Sequence, residues 1–239
     1  MRRLLFLVGG CSLFGGSTVL GALGPDPYPF ILQAVQNTLS QPRFYAEVVG
    51  WERTGSAPVR QYLTRCWYEG GKLFIEAYED SKARLVLVVD GRYVWRYDPV
   101  AKEYTFLPQS STFQETLGTV VAWSRKEMQR PMRLLARSPR WLTSPSSNVQ
   151  PTFVEVWQST GQGNSWRGTS LRFEFDAPYP TGKMSKLHIY ERYDMAGGGT
   201  REAEFTMTFS YPSDPFGFSF TFVPPPDSRP AADLPRRVP

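Results

Sequence analysis

Apolar and polar residues alternate with a period of two along most of this chain. The clearest stretch is Leu85 to Pro108, LVLVVDGRYVWRYDPVAKEYTFLP. Asp90-Gly91 within it is a hairpin signal. Asp98-Pro99 is a second turn, with Pro presetting φ for a type I geometry. The stretch therefore predicts three short strands joined by two tight turns. Tyr93, Trp95 and Tyr97 alternate with Arg92, Val94 and Arg96, so the three aromatics share one face.

The same period continues on both sides. Phe44–Trp51, Arg60–Tyr68 and Lys72–Tyr78 read as strands, the last two joined through Glu69-Gly70-Gly71-Lys72. In the second half Leu171, Phe173 and Phe175 alternate with Arg172, Glu174 and Asp176, and Leu187 and Ile189 with Lys186 and His188. Ala203, Phe205, Met207 and Phe209 alternate with polar residues, as do Phe216, Phe218, Phe220 and Phe222 with Gly217, Ser219 and Thr221. Clean alternation of this kind predicts antiparallel sheet with one buried and one wet face.

Helical spacing occurs in two places only. Phe30, Ile31, Ala34, Val35 and Thr38-Leu39 predict an amphipathic helix with Pro29 in its first turn. Phe113, Leu117, Val120, Val121 and Met128 suit a second helical face within Ser111–Arg137. Pro131 breaks it, and Met132, Leu134 and Leu135 begin a short further helix. Ser138–Pro151 reads as a Pro/Ser-rich loop, and residues from Pro224 onward as an extended, mobile tail. The fold class is mainly β with α: about ten or eleven strands in sequential hairpins form a single curved antiparallel sheet, an unclosed half-barrel with helices on its concave face.

The first residues, MRRLLFLVGGCSLFGGSTVLGALG, have the layout of a secretory leader: two arginines, an apolar run, then small residues. Cleavage is expected after Gly21. Residues 1–21 are then a signal peptide, 22–223 the half-barrel domain and 224–239 the tail. Val8-Gly9-Gly10-Cys11 loosely fits a lipobox, so an acylated Cys11 is the alternative. After cleavage only Cys66 remains, so no internal disulfide is available. Cys66 lies in a strand and reads as a small buried hydrophobe.

Loss of Arg2 and Arg3 lowers the formal charge from +5 to +3. Basic residues are scattered apart from the tail, which excludes a nucleic-acid footprint. Catalytic chemistry has little to draw on. His188 is the sole histidine and falls on the outward register of its strand, and no G-x-S-x-G is present. No metal-ligand spacing or phosphate loop is found. The expectation is a protein that is no enzyme and has no metal or cofactor. What stands out is the aromatic load: seven Trp, twelve Tyr and sixteen Phe.

Three patches, in this order, resemble the bacterial outer-membrane lipoprotein carrier fold, the LolA-like group. Val89–Pro99 resembles that family's D-G-K-x-x-W-x-Y-(D/N)-P meander. Pro131–Arg137 (PMRLLAR) resembles the short helix after it. Phe218–Pro226 resembles its closing F-x-F-x-P-P strand. Carriers often have an arginine shortly before the strand that begins here at Lys72, where this chain has Gly70-Gly71.

The resemblance implies an apolar cavity for acyl chains under a helical lid. The expected lining is Trp95, Tyr97, Phe106, Phe173, Phe175, Phe205, Met207, Phe218 and Phe220, and the expected lid Met132, Leu134 and Leu135. The implied partners are lipid or lipoprotein acyl chains, a membrane-embedded donor and an outer-membrane acceptor. The implied setting is a monomer crossing the periplasm. A regulatory or sensor module of the same fold, binding a protein partner, is the alternative.

Overall fold

The computed structural model describes residues 26–112, 115–116, 119–120, 122–123, 146–160 and 167–231. The leader, Cys11 and the expected lid residues Met132, Leu134 and Leu135 lie outside the described residues.

Helix α1 (Tyr28–Leu39) is followed by β1 (Arg43–Thr54), β2 (Arg60–Glu69), β3 (Lys72–Glu79), β4 (Lys82–Val89), β5 (Tyr93–Asp98) and β6 (Glu103–Pro108). Then come β7 (Ser146–Gln150), β8 (Phe153–Thr160), β9 (Arg167–Phe175), β10 (Met184–Asp194), β11 (Thr200–Ser210) and the two-residue β12 (Arg229–Pro230). All join one 12-stranded sheet in the order β12-β6-β5-β4-β3-β2-β1-β11-β10-β9-β8-β7. β12 and β7 are its two ends, so the sheet is an unclosed half-barrel. Each half is a run of consecutive hairpins. The long-range β1–β11 pair, from Tyr45 opposite Ser210 to Thr54 opposite Arg201, joins them.

Turn chemistry sets the β4–β5–β6 meander as the sequence predicts. The Asp90 carboxylate accepts the amides of Arg92 and Tyr93, both at 2.7 Å. Its second oxygen accepts the Trp95 indole N–H at 2.8 Å. Asp98 accepts the amides of Val100 and Ala101 at 2.9 Å. Both are side-chain turn caps of the Asx type.

Three expectations are corrected. Ser138–Pro151 is not loop throughout, because Ser146–Gln150 forms β7 against β8. Val149 is the one strong strand former in Ser-Ser-Asn-Val-Gln, so pairing with β8 rather than local propensity makes this strand. Phe216–Phe222 forms no ladder despite its alternation. It crosses the sheet as an extended strap, with Phe218 against Trp67 and Phe74, and Phe222 against Trp95 and Tyr97. The Pro-rich segment is docked as far as Ala231. β12 pairs parallel with β6, so the sheet is not wholly antiparallel. Lys102–Asp227 (2.6 Å) and Arg229–Glu103 (2.9 Å) ion pairs flank that contact.

Two apolar clusters share the helix-covered face. One gathers Ile31, Ala34 and Val35 of α1 with Val48, Val154, Val156, Leu171, Leu187, Ile189 and Phe205. The other gathers Leu73, Ile75, Leu85, Leu87, Val89 and Val94 under Val120, a helical residue of the segment between β6 and β7. Val120 is one of the positions the sequence assigned to a buried helical face.

Candidate functional site

The strand period decides which side chains meet the helices. On β1 the inward set is Phe44, Ala46, Val48, Gly50 and Glu52, all buried. On β11 it is Ala203, Phe205 and Met207, and on β9 Leu171, Phe173 and Phe175. α1 lies over these β8–β11 positions, and Val120 with Trp123 lies over β3–β5. Between the two covers the central strands carry short side chains: Ala46 opposite Cys66, and Val48 opposite Thr64.

Polar bonds hold the C-terminal end of α1 down. The Thr38 hydroxyl accepts the Met184 amide at 2.9 Å and lies 3.0 Å from the Tyr211 hydroxyl. Tyr211 donates to the Met184 carbonyl. The Asn37 amide donates to the carbonyls of Pro180 and Gly182, each at 2.9 Å. Burial pushes the Tyr211 phenol up to about 12, which keeps it a neutral donor. Near the N-terminal end the Phe30 ring packs at a tilt against Tyr179, with ring centroids 4.3 Å apart.

The face is graded along the strands. Its far end carries buried Glu52 and Glu191, opposite Ala203 from either side. Glu52 accepts from Tyr62 at 3.2 Å and from Thr54 at 3.3 Å, and pairs with Arg201 at 3.4 Å. Apolar side chains under α1 thus give way to two buried carboxylates at the opposite rim.

The nine residues expected to line one cavity fall on two faces. Phe173, Phe175, Phe205 and Met207 belong to the α1-covered cluster. Trp95, Tyr97, Phe106, Phe218 and Phe220 do not join them. Val94 faces the helices, so Trp95 faces away, where it meets Phe106 at 4.6 Å and Phe222 at 5.4 Å between ring centroids. Phe218 packs on that same outer face, and Phe220 meets Phe218 in a tilted contact at 5.2 Å between ring centroids. The physical reason is that β4 and β5 are covered on both sides. Val88, on the outer register beside Trp95, is only 1% exposed. An aromatic on such a strand carries no indication of which cover it meets.

The chemistry-bearing residues are placed as follows. His188 is on the outer face, 3.0 Å from Glu204. Burial pushes the Cys66 thiol up to about 12, which disfavours the reactive thiolate. Among the described residues no group of His, Cys, Asp and Glu is arranged to hold a metal, and no helix is long and apolar enough to cross a membrane. The residues sequence reasoning missed are Thr38, Asn37 and Tyr211. Thr38 was legible only as part of an apolar helix face, since its partners lie 146 and 173 residues away.

No protein-family model and no curated protein matches the chain. Among solved structures it is similar to a LolA superfamily protein from Nitrosomonas europaea, at 13% identity over 77% of this chain and 91% of that one, with a TM-score of 0.31. It is also similar to the Mycobacterium tuberculosis lipoprotein LppX, at 12% identity over 80% of this chain and 98% of that one, with a TM-score of 0.30.

Proposed function

We propose that this chain is an exported, non-enzymatic carrier that holds lipid or lipoprotein acyl chains against its concave face and ferries them across the periplasm towards the outer membrane. The observation that carries the reading is an unclosed sheet with one apolar face under two separate helical covers. The order of the DGRYVWRYDP, PMRLLAR and FSFTFVPPP patches supports it.

An acyl chain gains roughly 0.8 kcal/mol per buried CH₂. Phe173, Phe175, Phe205 and Met207 are the binding surface in this reading, with Met132, Leu134 and Leu135 as the lid. The covers compete with the ligand for the same surface, which lowers net affinity and permits release. In this reading the polar end of the cargo lies towards the Glu52 and Glu191 end of the face. The donor is a membrane-embedded protein, the acceptor lies in the outer membrane, and the carrier travels as a monomer.

Native mass spectrometry of the protein purified from its own envelope, with lipid extraction of any adduct, tests this. A co-purifying acylated species is expected, together with uptake of a fluorescent fatty-acyl probe that Phe205→Glu abolishes. A clean apo mass without probe uptake overturns the carrier reading. It would leave a regulatory module that docks a protein partner on the exposed outer aromatics Tyr93, Phe106 and Phe218, which are 36%, 40% and 41% exposed.

A further inference from the structure

A groove of about 810 Å³ lies on the face of the sheet turned away from the helices, across β11, β1, β2 and β3. That volume is within the usual range of small-molecule sites. Strand register lays out its floor in rows. Val49 sits between Thr206 and Leu63, and Trp51 between Glu204 and Gln61 in the next row along the strand. On the other side of Val49, Glu47 and Arg65 face each other and are bonded at 3.1 Å.

The floor is open. Val49 is 53% exposed although β1 lies in the middle of the sheet. Polar groups stand around the floor, Glu47 and Arg65 at one end and Glu204 and Thr206 along β11. Glu47 accepts from the Tyr45 hydroxyl at 2.8 Å, and Glu204 is 3.0 Å from His188, so both carboxylates are held in position. All of these groups stand on strands, which fixes them more tightly than loops would.

The lining narrows the ligand. Two carboxylates and one guanidinium form no cationic stripe, which disfavours a polyanion. An acyl chain would draw the Glu47–Arg65 pair and Glu204 further out of water and offer them no hydrogen bonds in return. A ligand that suits the site must offer apolar C–H faces to Trp51, Val49 and Leu63. It must also offer hydroxyls that donate to the carboxylates and accept from Arg65, with Gln61 able to do both. We propose that this groove binds a neutral oligosaccharide, at a site separate from the acyl-binding face.

Isothermal titration of the purified protein with chitotetraose, maltotetraose and cellotetraose tests the assignment. Saturable binding of at least one tetraose is expected. Trp51→Ala and Gln61→Ala should each weaken it about tenfold or more, whereas Tyr93→Ala, an exposed outer-face aromatic outside the groove, should leave it unchanged. Gln61 is exposed, so its variant keeps the fold even if Trp51→Ala does not. Absence of binding by all three sugars overturns the proposal, as does binding that survives both groove variants. Fatty-acyl probe uptake should be the same with and without the tetraose, so this site and the carrier reading stand or fall separately.

Discussion

Gly50 shows how much one residue can hold in the middle of a large sheet. It faces Phe205 on β11 and Tyr62 on β2, whose rings lie 5.9 Å apart. A Cβ at position 50 would meet Phe205 Cδ1 at 2.1 Å and the Glu204 carbonyl oxygen at 2.7 Å. The backbone contact cannot be relieved by turning a ring, so Gly50→Ala should cost about 1–3 kcal/mol, the range for overpacking a core. Urea unfolding should show a lower midpoint with an unchanged slope. A midpoint equal to the wild type would mean that β1 and β11 separate freely at this point.

Asp90 is a residue whose effect depends on pH. Partial burial acts to raise its carboxyl, but the amides of Tyr93 and Arg92 and the Trp95 indole outweigh it, and the group sits below the ordinary aspartate value. A depressed carboxyl contributes stability that is complete above its unfolded pKa, about 3.9, and disappears as pH falls through the lower folded value. The stability gap between wild type and Asp90→Asn should therefore be largest near neutrality and shrink below about pH 4. Urea midpoints of both proteins across that window check it, and a gap independent of pH would mean that Asp90 acts through packing alone.

At the scale of the element, α1 is held by hydrogen bonds at its C-terminal end and by a ring contact near its N-terminal end. Thr38→Val keeps the shape of the side chain and removes the acceptor of the buried Met184 amide and the neighbour of Tyr211. Leaving such a group unpaired costs about 1–3 kcal/mol. Hydrogen exchange should rise over Tyr28–Leu39 and at Met184, while β3–β5 stays protected. Equal loss of protection in both regions would show that the two covers open as one.

The elements were legible to different degrees, and turn chemistry explains the difference. The β4–β5–β6 meander was readable because Asp90, Gly91, Asp98 and Pro99 fix its turns within a few residues. β9, β10 and β11 were readable from alternation, since one of their faces is solvated. β7 was not, because Ser146-Ser147-Asn148-Val149-Gln150 owes its conformation to β8. Phe216–Phe222 alternates like a strand because one side of it packs on Trp67, Phe74, Trp95 and Tyr97. Alternation reports side-chain environment and is blind to whether the backbone has a partner. The same blindness put Trp95 and Phe218 beside Phe205 in one expected cavity, when a whole sheet separates them.

In the whole molecule, an unclosed sheet leaves two edges, and exposed edges are sites of association. The β7 edge is short and polar, which makes it a poor template. The β6 edge is different: Glu103–Pro108 borders the exposed aromatics Tyr93 and Phe106 and would be an apolar strand open to pairing. β12 covers it with two residues. The Arg229 amide donates to the Lys102 carbonyl at 3.0 Å and the Ala231 amide to the Tyr104 carbonyl at 2.8 Å, with Lys102–Asp227 and Arg229–Glu103 alongside. Those ion pairs are exposed, so each contributes little and weakens with salt. Their main effect is to hold the tail in register so that the edge carbonyls are occupied. A protein ending at Pro226 keeps the aromatic strap and loses the edge cover. It should therefore stay folded, with little change in urea midpoint, yet self-associate as its concentration rises. Sedimentation velocity at increasing concentration reads this directly. High salt should move the intact protein part of the way towards the truncated one. A truncated protein that remains monomeric throughout would mean that Pro108 and the twist of β6 already protect the edge, and that the docked tail serves some other purpose.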